Sequence, residues 1–208
     1  MGLYSHCIFP RLMDWVMSGE AFQELRAELL KDAHGEVLEI GFGTGLNLPH
    51  YPTNISHLSI VDPARLFSDR VKERAAKVAF PVRAEHITAE TLPYPDWQFD
   101  SVVSTWTLCT IPDPVKALRE INRVLKSNGT FLFLEHGRSD NARVAAWQDR
   151  LNPLQNIIGC GCNLNRRIDQ LIEQSGLRLL RLDRFRMRNV PRVGGEMYRG
   201  RASPSASR

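Results

Sequence analysis

This chain of 208 residues contains few cysteines and no long apolar run. No stretch approaches the ~18 apolar residues that a membrane-spanning helix needs, and the amino terminus lacks the basic flank and apolar segment of a secretory signal. The four cysteines show neither the spacing of a secreted disulfide scaffold nor paired metal-binding knuckles. We therefore expect a cytoplasmic protein with no transmembrane segment.

Positive charge is also limited, since 27 Lys and Arg stand against 23 Asp and Glu and give a net charge of +4. A dedicated nucleic-acid binder carries a larger and more clustered positive charge, so we expect no nucleic-acid partner. One late run of arginines alternates with apolar residues, a pattern typical of the solvated face of a strand. The alternative is a non-catalytic binding module for nucleic acid or an acidic membrane surface, which leaves peripheral membrane contact open. The arginines are Arg178, Arg181, Arg184, Arg186, Arg188 and Arg192.

Short apolar runs alternate with segments of helical periodicity along most of the chain. This alternation predicts a parallel, doubly wound α/β sheet, and the length suits one domain. We predict strands over residues 37–40, 58–62, 99–108, 130–135, 179–187 and 196–202. We predict helices over residues 20–30, 62–75, 141–151 and 164–175, and one from Asp113 that Ser127-Asn128-Gly129 ends. A shift of apolar parity between Leu182 and Phe185 indicates a bulge in that strand.

A glycine-rich turn follows the first predicted strand. Gly41, Gly43 and Gly45 form a G-x-G-x-G pattern, and glycines there let the backbone approach a ligand at the carboxyl edge of the sheet. The dinucleotide fingerprint would place its third glycine at position 46, which is Leu46 here. A helix that starts with Leu46 cannot lie as close to a pyrophosphate, so the spacing disfavours NAD.

Two carboxylates accompany this turn. Glu39 precedes it and would repel a pyrophosphate, yet it suits a cationic amino-acid group. Asp62 ends the second strand 21 positions after Gly41, near the ~20 expected for an acid that accepts hydrogen bonds from ribose hydroxyls. The combination favours a zwitterionic sulfonium ligand. The alternative is that the glycines form only a tight turn and that Asp62 caps a helix.

Five short motifs follow one another in order along residues 35–137. They are Val37–Pro49 (VLEIGFGTGLNLP), Ile60–Pro63 (IVDP), Ala89-Glu90 with Leu92-Pro93, Phe99-Asp100, and Val124–Gly129 (VLKSNG). Together they resemble the motifs of class I S-adenosylmethionine-dependent methyltransferases. The resemblance implies a single Rossmann-like domain with a mostly parallel seven-stranded sheet flanked by helices. It also implies S-adenosyl-L-methionine as cofactor and S-adenosyl-L-homocysteine as its product.

The same resemblance implies where the cofactor lies. Its sulfonium amino acid would lie along Gly41–Gly45, its ribose would bind Asp62, and its adenine would border Ala89-Glu90. Many members have Asp before that Ala-Glu pair, whereas this chain has Thr88, so the adenine amino group would bind backbone or Glu90. The implied cofactor-binding residues are Glu39, Gly41, Gly43, Thr44, Gly45, Asn47, Asp62, Pro63, Ala89, Glu90 and Thr105.

Four further motifs resemble those of the alkyl-thiol S-methyltransferase-like branch. They are Leu108-Cys109-Thr110, Glu135-His136, Trp147-Gln148 and Gly161–Arg166 (GCNLNR). This second resemblance implies a small-molecule acceptor, with a thiol as first choice. Related branches act on quinone precursors and phospholipid head groups, so O-, C- or N-methylation stays the alternative. The oligomeric state stays open.

Methyl transfer is an in-line displacement at an activated carbon, so the protein mainly positions the acceptor and a catalytic base is optional. His136, at the end of a central strand, is the best-placed titratable group for base or orienting work. Its alternative is a strand-end histidine bonded to structure. Cys109 fits a buried small hydrophobe better than a nucleophile. Cys160 and Cys162 have no histidine nearby in sequence to complete a zinc site, so we expect no metal.

The domain boundaries follow from composition and pattern. We expect one domain over residues 1–202, followed by a small, polar, disordered tail over residues 203–208. Residues 1–34 are expected to form an N-terminal helical cap, and residues 138–163 an insertion at the acceptor site. Pro153 should end the helix inside this insertion, because it lacks the N–H that a helix needs.

Overall fold

The computed structural model of the protein describes residues 8–63, 69–188 and 190–205. Within these ranges the helices are α1 (Phe9–Met17), α2 (Glu20–Leu30), α3 (Asp69–Ala75), α4 (Pro114–Val124), α5 (Ala142–Ile158) and α6 (Ile168–Gln174). The strands are β1 (Glu36–Ile40), β2 (His57–Val61), β3 (Val82–Glu85), β4 (Phe99–Thr105), β5 (Leu125–His136), β6 (Leu177–Arg186) and β7 (Glu196–Pro204). In this part of the chain, none of the helices is long and apolar enough to cross a membrane.

Parts of three predictions lie outside the described residues. They are the first seven residues of the helical cap, residues 64–68 of the predicted helix after Asp62, and residues 206–208 of the tail. The rest of the cap is present as α1 and α2, of which only α2 had a clear helical spacing in the sequence.

The described strands form one seven-stranded sheet in the order β3-β2-β1-β4-β5-β7-β6. The first five strands in this order, β3, β2, β1, β4 and β5, run parallel to one another. Strand β7 is antiparallel to both of its neighbours, β5 and β6. Ile40 is paired with Val61 on one side and with Ser104 on the other, so β1, β2 and β4 end at the same edge. The predicted mostly parallel α/β sheet is confirmed. Open sheets of this kind bind ligands at that edge.

Both faces of the sheet are covered, which explains its near-continuous apolar strands. Leu38 and Val102 are fully buried in a layer that includes the apolar residues of α4 and α6. The adjacent residues Val37 and Val103 are fully buried in the opposite layer, which includes Leu30 of α2. Successive residues of one strand therefore pack against different helices.

Helix α4 begins as predicted but ends earlier. Asp113 caps it by accepting a backbone hydrogen bond of 2.9 Å. The helix ends at Val124, and Leu125 is already extended and paired with Phe99 of β4. The prediction that Ser127-Asn128-Gly129 ends the helix is wrong, because these residues belong to β5. Pairing with β4 overrides the helical spacing of Leu125.

The predicted break at Pro153 is also wrong, since α5 runs through it. Proline removes one helical hydrogen bond, but side chains on both sides of it bind the following loop. Asn152 Oδ1 accepts a hydrogen bond from Leu164 N at 2.7 Å, and Asn156 Nδ2 donates to Gly161 O at 3.0 Å. These tertiary contacts hold the second half of the helix in place.

The carboxyl-terminal strand extends beyond the predicted boundary. Ser203 and Pro204 belong to β7 and are paired with β6. The prediction of a disordered tail is therefore wrong for these two residues. Pairing with β6 orders a segment whose composition by itself suggests disorder.

The irregularity in β6 lies earlier than predicted. Its register against β7 shifts between Leu179 and Arg181, not between Leu182 and Phe185. The extra residue, Leu180, is 52% exposed. A bulge changes the face of the sheet to which the later residues of the strand point. The change in the alternation of apolar residues is therefore seen in the sequence only after the bulge itself.

Candidate functional site

The glycine-rich turn lies where β1, β2 and β4 end, and its glycines adopt a backbone conformation that side chains disfavour. Gly41 and Gly43 have φ angles of +72° and +57°. A Cβ on Gly41 would lie 2.2 Å from the side chain of Thr107, whereas a Cβ on Gly43 would meet nothing within 4 Å. Gly41 thus allows close packing of the loop after β4, and Gly43 presents an open face at the edge of the sheet.

Asp62 is bonded directly to this turn. Its Oδ2 accepts a hydrogen bond from Gly43 N at 2.9 Å. The residue is half-buried at the end of β2, and the exposed Pro63 follows it. The structure therefore brings together the glycine turn and the acid that the sequence predicted as its partner. Asp62 fixes the open part of the turn.

Three of the predicted cofactor-binding residues lie in a buried polar network next to the turn. Glu39 accepts hydrogen bonds from Asn47 Nδ2 and from Tyr51 Oη, both at 2.8 Å. Asn47 Nδ2 also donates to Thr105 Oγ1 at 3.0 Å. Arg26 Nη1 donates to Asn47 Oδ1 at 2.6 Å and to Thr105 Oγ1 at 3.2 Å. Direct contact of these three residues with a cofactor stays a prediction, and their observed partners are protein groups.

Sequence reasoning missed Arg26 and Tyr51. Arg26 is 21 positions from Asn47 and 79 from Thr105, so no local spacing connects them. The sequence showed only that Arg26 belongs to the predicted helix α2. The fold leaves 5% of this residue exposed. A buried arginine needs partners, but the sequence does not say which.

Burial governs the acid–base behaviour of this network. It raises the pKa of Glu39 to about 7, although the hydrogen bonds from Tyr51 and Asn47 and the charge of Arg26 act in the opposite direction. Burial also lowers the pKa of Arg26 to about 10. The pKa of Tyr51 is raised well above its usual value by burial and by the adjacent carboxylate of Glu39. Glu39 therefore changes its charge near neutral pH.

The Glu39→Gln variant should reveal this shift in the pH dependence of stability. The native state keeps the Glu39 proton up to about pH 7, whereas the unfolded chain loses it from about 4.5. The free energy of unfolding of the wild type should therefore fall as pH rises between these values, by up to about 3 kcal/mol relative to the variant. Urea unfolding at pH 5, 6, 7 and 8 measures the difference.

Glu36→Gln is the matched control for this measurement, since Glu36 lies at the other end of β1. It keeps Glu39, so its free energy of unfolding should still fall as pH rises. Parallel curves for the wild type and Glu39→Gln would contradict a raised pKa at Glu39.

The helical cap is attached to the glycine turn at Thr44. Thr44 Oγ1 donates to Asp14 Oδ1 of α1 at 2.6 Å. Arg74 of α3 donates to the same oxygen at 2.9 Å and to Thr44 O at 2.5 Å. Asp14 is only 8% exposed, so this charged cluster is well covered. Asp14 and Arg74 are two further residues of the site that their spacing in the sequence did not indicate.

The predicted adenine border lies in the loop between β3 and β4. Ala89 is 5% exposed and belongs to the same apolar cluster as Ile40 and Val61, the last residues of β1 and β2. Glu90 lies close to the start of α4, where its Oε1 is 3.5 Å from Asp113 N. The pair is thus close to the edge at which the glycine turn lies, and its contact with adenine stays a prediction.

A second buried carboxylate shapes the loop after β4. Glu135, with no exposed surface, accepts hydrogen bonds from Ser104 Oγ at 2.7 Å and from the backbone N–H groups of Thr107 and Leu108, both at 3.1 Å. Burial raises its pKa to about 6. Because Thr107 Oγ1 also donates to Gly41 O at 3.3 Å, Glu135 orients a loop that touches the glycine turn.

The predicted catalytic residue, His136, follows Glu135 and is 9% exposed. Its Nε2 is 3.2 Å from Cys162 Sγ, and its buried Nδ1 has no hydrogen-bond partner. Burial acts to lower the pKa of His136, but contact with Cys162 and the charge of Glu135 raise it overall. Cys109 is 2% exposed, as predicted for a buried residue, and lies close to both.

Two of the six arginines in the arginine-rich run have partners within the chain. Arg184 forms an ion pair with Asp140, donates to Tyr198 Oη at 2.7 Å and lies over the ring of Tyr198. Arg181 forms an ion pair of 3.0 Å with Asp183. These internal contacts explain the charge of Arg181 and Arg184, and no external partner is needed for these two.

Comparison with known proteins bears directly on this site. Residues 38–133 match the family described as "Methyltransferase domain". Over these residues the chain is similar to a methyltransferase domain. The match covers the glycine turn, Asp62 and the strands that carry them.

Two relatives extend beyond the methyltransferase domain match. A thiol S-methyltransferase from Rattus norvegicus is 33% identical over 75% of this chain and 65% of its own length. A phosphatidylethanolamine N-methyltransferase from Cereibacter sphaeroides is 30% identical over 60% of this chain and 62% of its own length. The chain thus spans slightly less than two thirds of each relative.

The fold of the methyltransferase domain recurs in solved structures. A geranyl diphosphate methyltransferase in complex with S-adenosylmethionine superposes with a TM-score of 0.69, over 99% of this chain and 92% of that chain, at 13% identity. That likeness shows the fold alone. The matched family and both relatives are methyltransferases by name.

Proposed function

We propose that this protein transfers the methyl group of S-adenosylmethionine to the thiol of a small molecule. The observation that carries the methyl-donor part is the glycine turn, which Asp62 holds with an open face at Gly43. The relative named a thiol S-methyltransferase supports the acceptor. The cytoplasmic location and the lack of a nucleic-acid partner remain predictions from the sequence.

The residues present fit the proposed cofactor. The positive φ of Gly43 and the empty space above it provide a cradle that any side chain would fill. The backbone of Gly41–Gly45 would hold the amino-acid part and Asp62 the ribose, with Ala89-Glu90 beside the adenine. Pro63 would lie beside the ribose, and Glu39, Asn47 and Thr105 would support the turn through their network. The bound cofactor supplies a methyl group activated by a positively charged sulfur.

The protein's contribution to this reaction is position and exclusion of water. A thiol suits such a site because its pKa of about 8.5 makes the reactive thiolate accessible near neutral pH. An alcohol would depend more on a base. His136 is the proposed group for orienting or deprotonating the acceptor, since it lies at the end of β5, next to β4.

An amine is the second candidate acceptor. The relative named a phosphatidylethanolamine N-methyltransferase supports it at 30% identity. A non-catalytic binding module is the third reading, and the internal contacts of Arg184 weigh against it. Salt-sensitive binding of RNA or anionic vesicles that is lost on replacing Arg186, an exposed residue of β6, would favour that reading.

A panel of matched acceptors tests the choice of a thiol. We expect transfer of a labelled methyl group to small alkyl thiols to exceed transfer to the corresponding alcohols and amines by about 10-fold or more at pH 8. At this pH a substantial fraction of the thiol is the nucleophilic thiolate, whereas the alcohol keeps its proton and the amine is mostly protonated ammonium. Mass spectrometry of the products measures the rates. The Asp62→Ala protein provides the background rate.

Faster transfer to amines or alcohols would replace the thiol by the second candidate. Absence of transfer to every acceptor, from a protein that still binds S-adenosylhomocysteine, would contradict a small-molecule methyltransferase with these acceptors.

A further inference from the structure

Three side chains of types that can bind metal ions meet at the carboxyl edge of the sheet although they are far apart in sequence. Cys109 lies after β4, His136 ends β5, and Cys162 lies in the loop after α5. Their ligand atoms all lie within 4.8 Å of one another, and His136 Nε2 is 3.2 Å from Cys162 Sγ. Tetrahedral zinc, with Zn–S of about 2.3 Å and Zn–N of about 2.0 Å, places its ligand atoms about 3.5–3.8 Å apart. Adjustments of about 1 Å would therefore bring the three into coordination geometry.

The surroundings of this cluster are ordered. Glu135 binds the backbone of Thr107 and Leu108, which fixes the turn that carries Cys109. Asn163, adjacent to Cys162, donates from both its backbone N and its Nδ2 to Cys109 O, each at 2.9 Å. Arg166 donates to Ile111 O at 2.7 Å and to Leu108 O. The two cysteine-bearing loops are thus tied to each other, as a preorganised ligand set requires.

The histidine directs one ring nitrogen at a cysteine of the cluster. His136 is 9% exposed, and its Nε2 is 3.2 Å from Cys162 Sγ. An imidazole nitrogen and a cysteine sulfur are donor types that zinc binds in proteins.

The chemistry of the donors selects the kind of metal. Two thiolates and an imidazole favour zinc and other soft cations over magnesium or calcium. Three protein ligands with one open position are typical of catalytic zinc, whereas structural zinc has four. In the part of the chain that the structure describes, the cluster has three members, and its Cys162 is partly exposed. An incoming ligand therefore has a side from which to approach.

We propose that Cys109, His136 and Cys162 bind a zinc ion whose fourth position is open to the thiol acceptor. The choice of a thiol as acceptor rests on the proposed function, whereas the metal site does not. The acceptor thiol would lose its proton to solvent on coordination, since a thiol bound to zinc is deprotonated. Its sulfur would then form a bond to the methyl carbon as the donor's bond from that carbon to its sulfur breaks, which leaves S-adenosylhomocysteine. His136 would then act as a ligand and not as a base.

Metal binding is tested directly on the full chain, reduced and freed of metal by a chelator. We expect one equivalent of zinc per chain in a competition titration with a chromogenic chelator. Replacement of zinc by cobalt should give the intense visible bands of tetrahedral cobalt and a thiolate charge-transfer band. Cys162→Ser and His136→Gln should each lower zinc affinity at least about 100-fold, since they remove a direct ligand.

Cys160→Ser is the matched control, because Cys160 is close in sequence but outside the cluster. It should keep both the affinity and the cobalt spectrum. Circular dichroism should show that each variant is folded, and Cys162→Ser is the decisive variant because its side chain is partly exposed. An equal loss in Cys160→Ser, or less than half an equivalent of zinc in the reduced wild type, would overturn the site. A disulfide between Cys109 and Cys162 in protein purified without oxygen would do the same.

The open position is tested by adding an alkyl thiol to the cobalt protein without a methyl donor. The thiol should change the visible spectrum, and the matched alcohol should not. An unchanged spectrum would overturn the open position. Because these measurements need no methyl transfer, failure of the acceptor panel would contradict the proposed function and leave the metal result intact.

Discussion

The Asp62→Ala variant is expected to bind S-adenosylhomocysteine at least about 100-fold more weakly than the wild type and to remain folded. A carboxylate that accepts two hydrogen bonds from ribose hydroxyls contributes about 1.5–3 kcal/mol for each bond. The substitution also removes the 2.9 Å bond to Gly43 N, which fixes the open part of the glycine turn. Both losses act on the same ligand, so their effects on affinity should add.

Calorimetry with S-adenosylhomocysteine measures this loss, and circular dichroism checks the fold. Asp62→Asn keeps one acceptor oxygen and should show an intermediate affinity. Glu36→Ala, at the opposite end of the neighbouring strand β1, is the control and should bind normally. Unchanged affinity in Asp62→Ala would remove the ribose assignment.

Gly41→Ala is expected to destabilise the protein by about 2–5 kcal/mol, because it combines left-handed backbone strain with overpacking. The added Cβ would lie 2.2 Å from the side chain of Thr107, at a φ angle of +72°. That contact cannot be relieved by a small movement, since Thr107 N is held by Glu135 and its Oγ1 binds Gly41 O.

Gly43→Ala is the matched variant and should separate stability from binding. Its φ angle is +57° and its Cβ would meet nothing within 4 Å, so the backbone strain alone should cost about 1–2 kcal/mol. The same methyl group would enter the space proposed for the cofactor and should strongly weaken binding of S-adenosylhomocysteine. Urea unfolding and calorimetry measure the two effects.

A double variant, Gly41→Ala with Thr107→Gly, removes the side chain that the new Cβ would meet. It should be more stable than Gly41→Ala alone, although the backbone strain remains. Equal stability of Gly41→Ala and Gly43→Ala would contradict the packing role of Gly41. Normal cofactor binding by Gly43→Ala would show that the ligand does not lie over Gly43.

Much of the fold was predictable because its signals are local. Alternating strand and helix patterns indicated the parallel sheet, and the positions of Gly41, Gly43 and Asp62 indicated the ligand edge. In a parallel sheet, turns that follow neighbouring strands lie at the same edge. Gly43 and Asp62 are 19 positions apart in sequence, and their contact follows from this topology.

The errors arose where tertiary contacts outweighed local preference. Pro153 ends a helix by its own chemistry, but the bonds of Asn152 and Asn156 to the next loop keep α5 intact. Leu125 has helical spacing, but pairing with Phe99 draws it into β5. In both cases several long-range contacts compete with one local propensity.

The sequence by itself therefore determined the sheet, the glycine turn and its acid, since these depend on residue order along adjacent strands. Only the tertiary structure decided the partners of Glu39 and the meeting of Cys109, His136 and Cys162. Nothing in their spacing links these side chains, because they come together through the pairing of β4 with β5 and the return of the chain after α5. Local order predicts what one strand end presents, whereas packing decides which side chains from separate elements share a site.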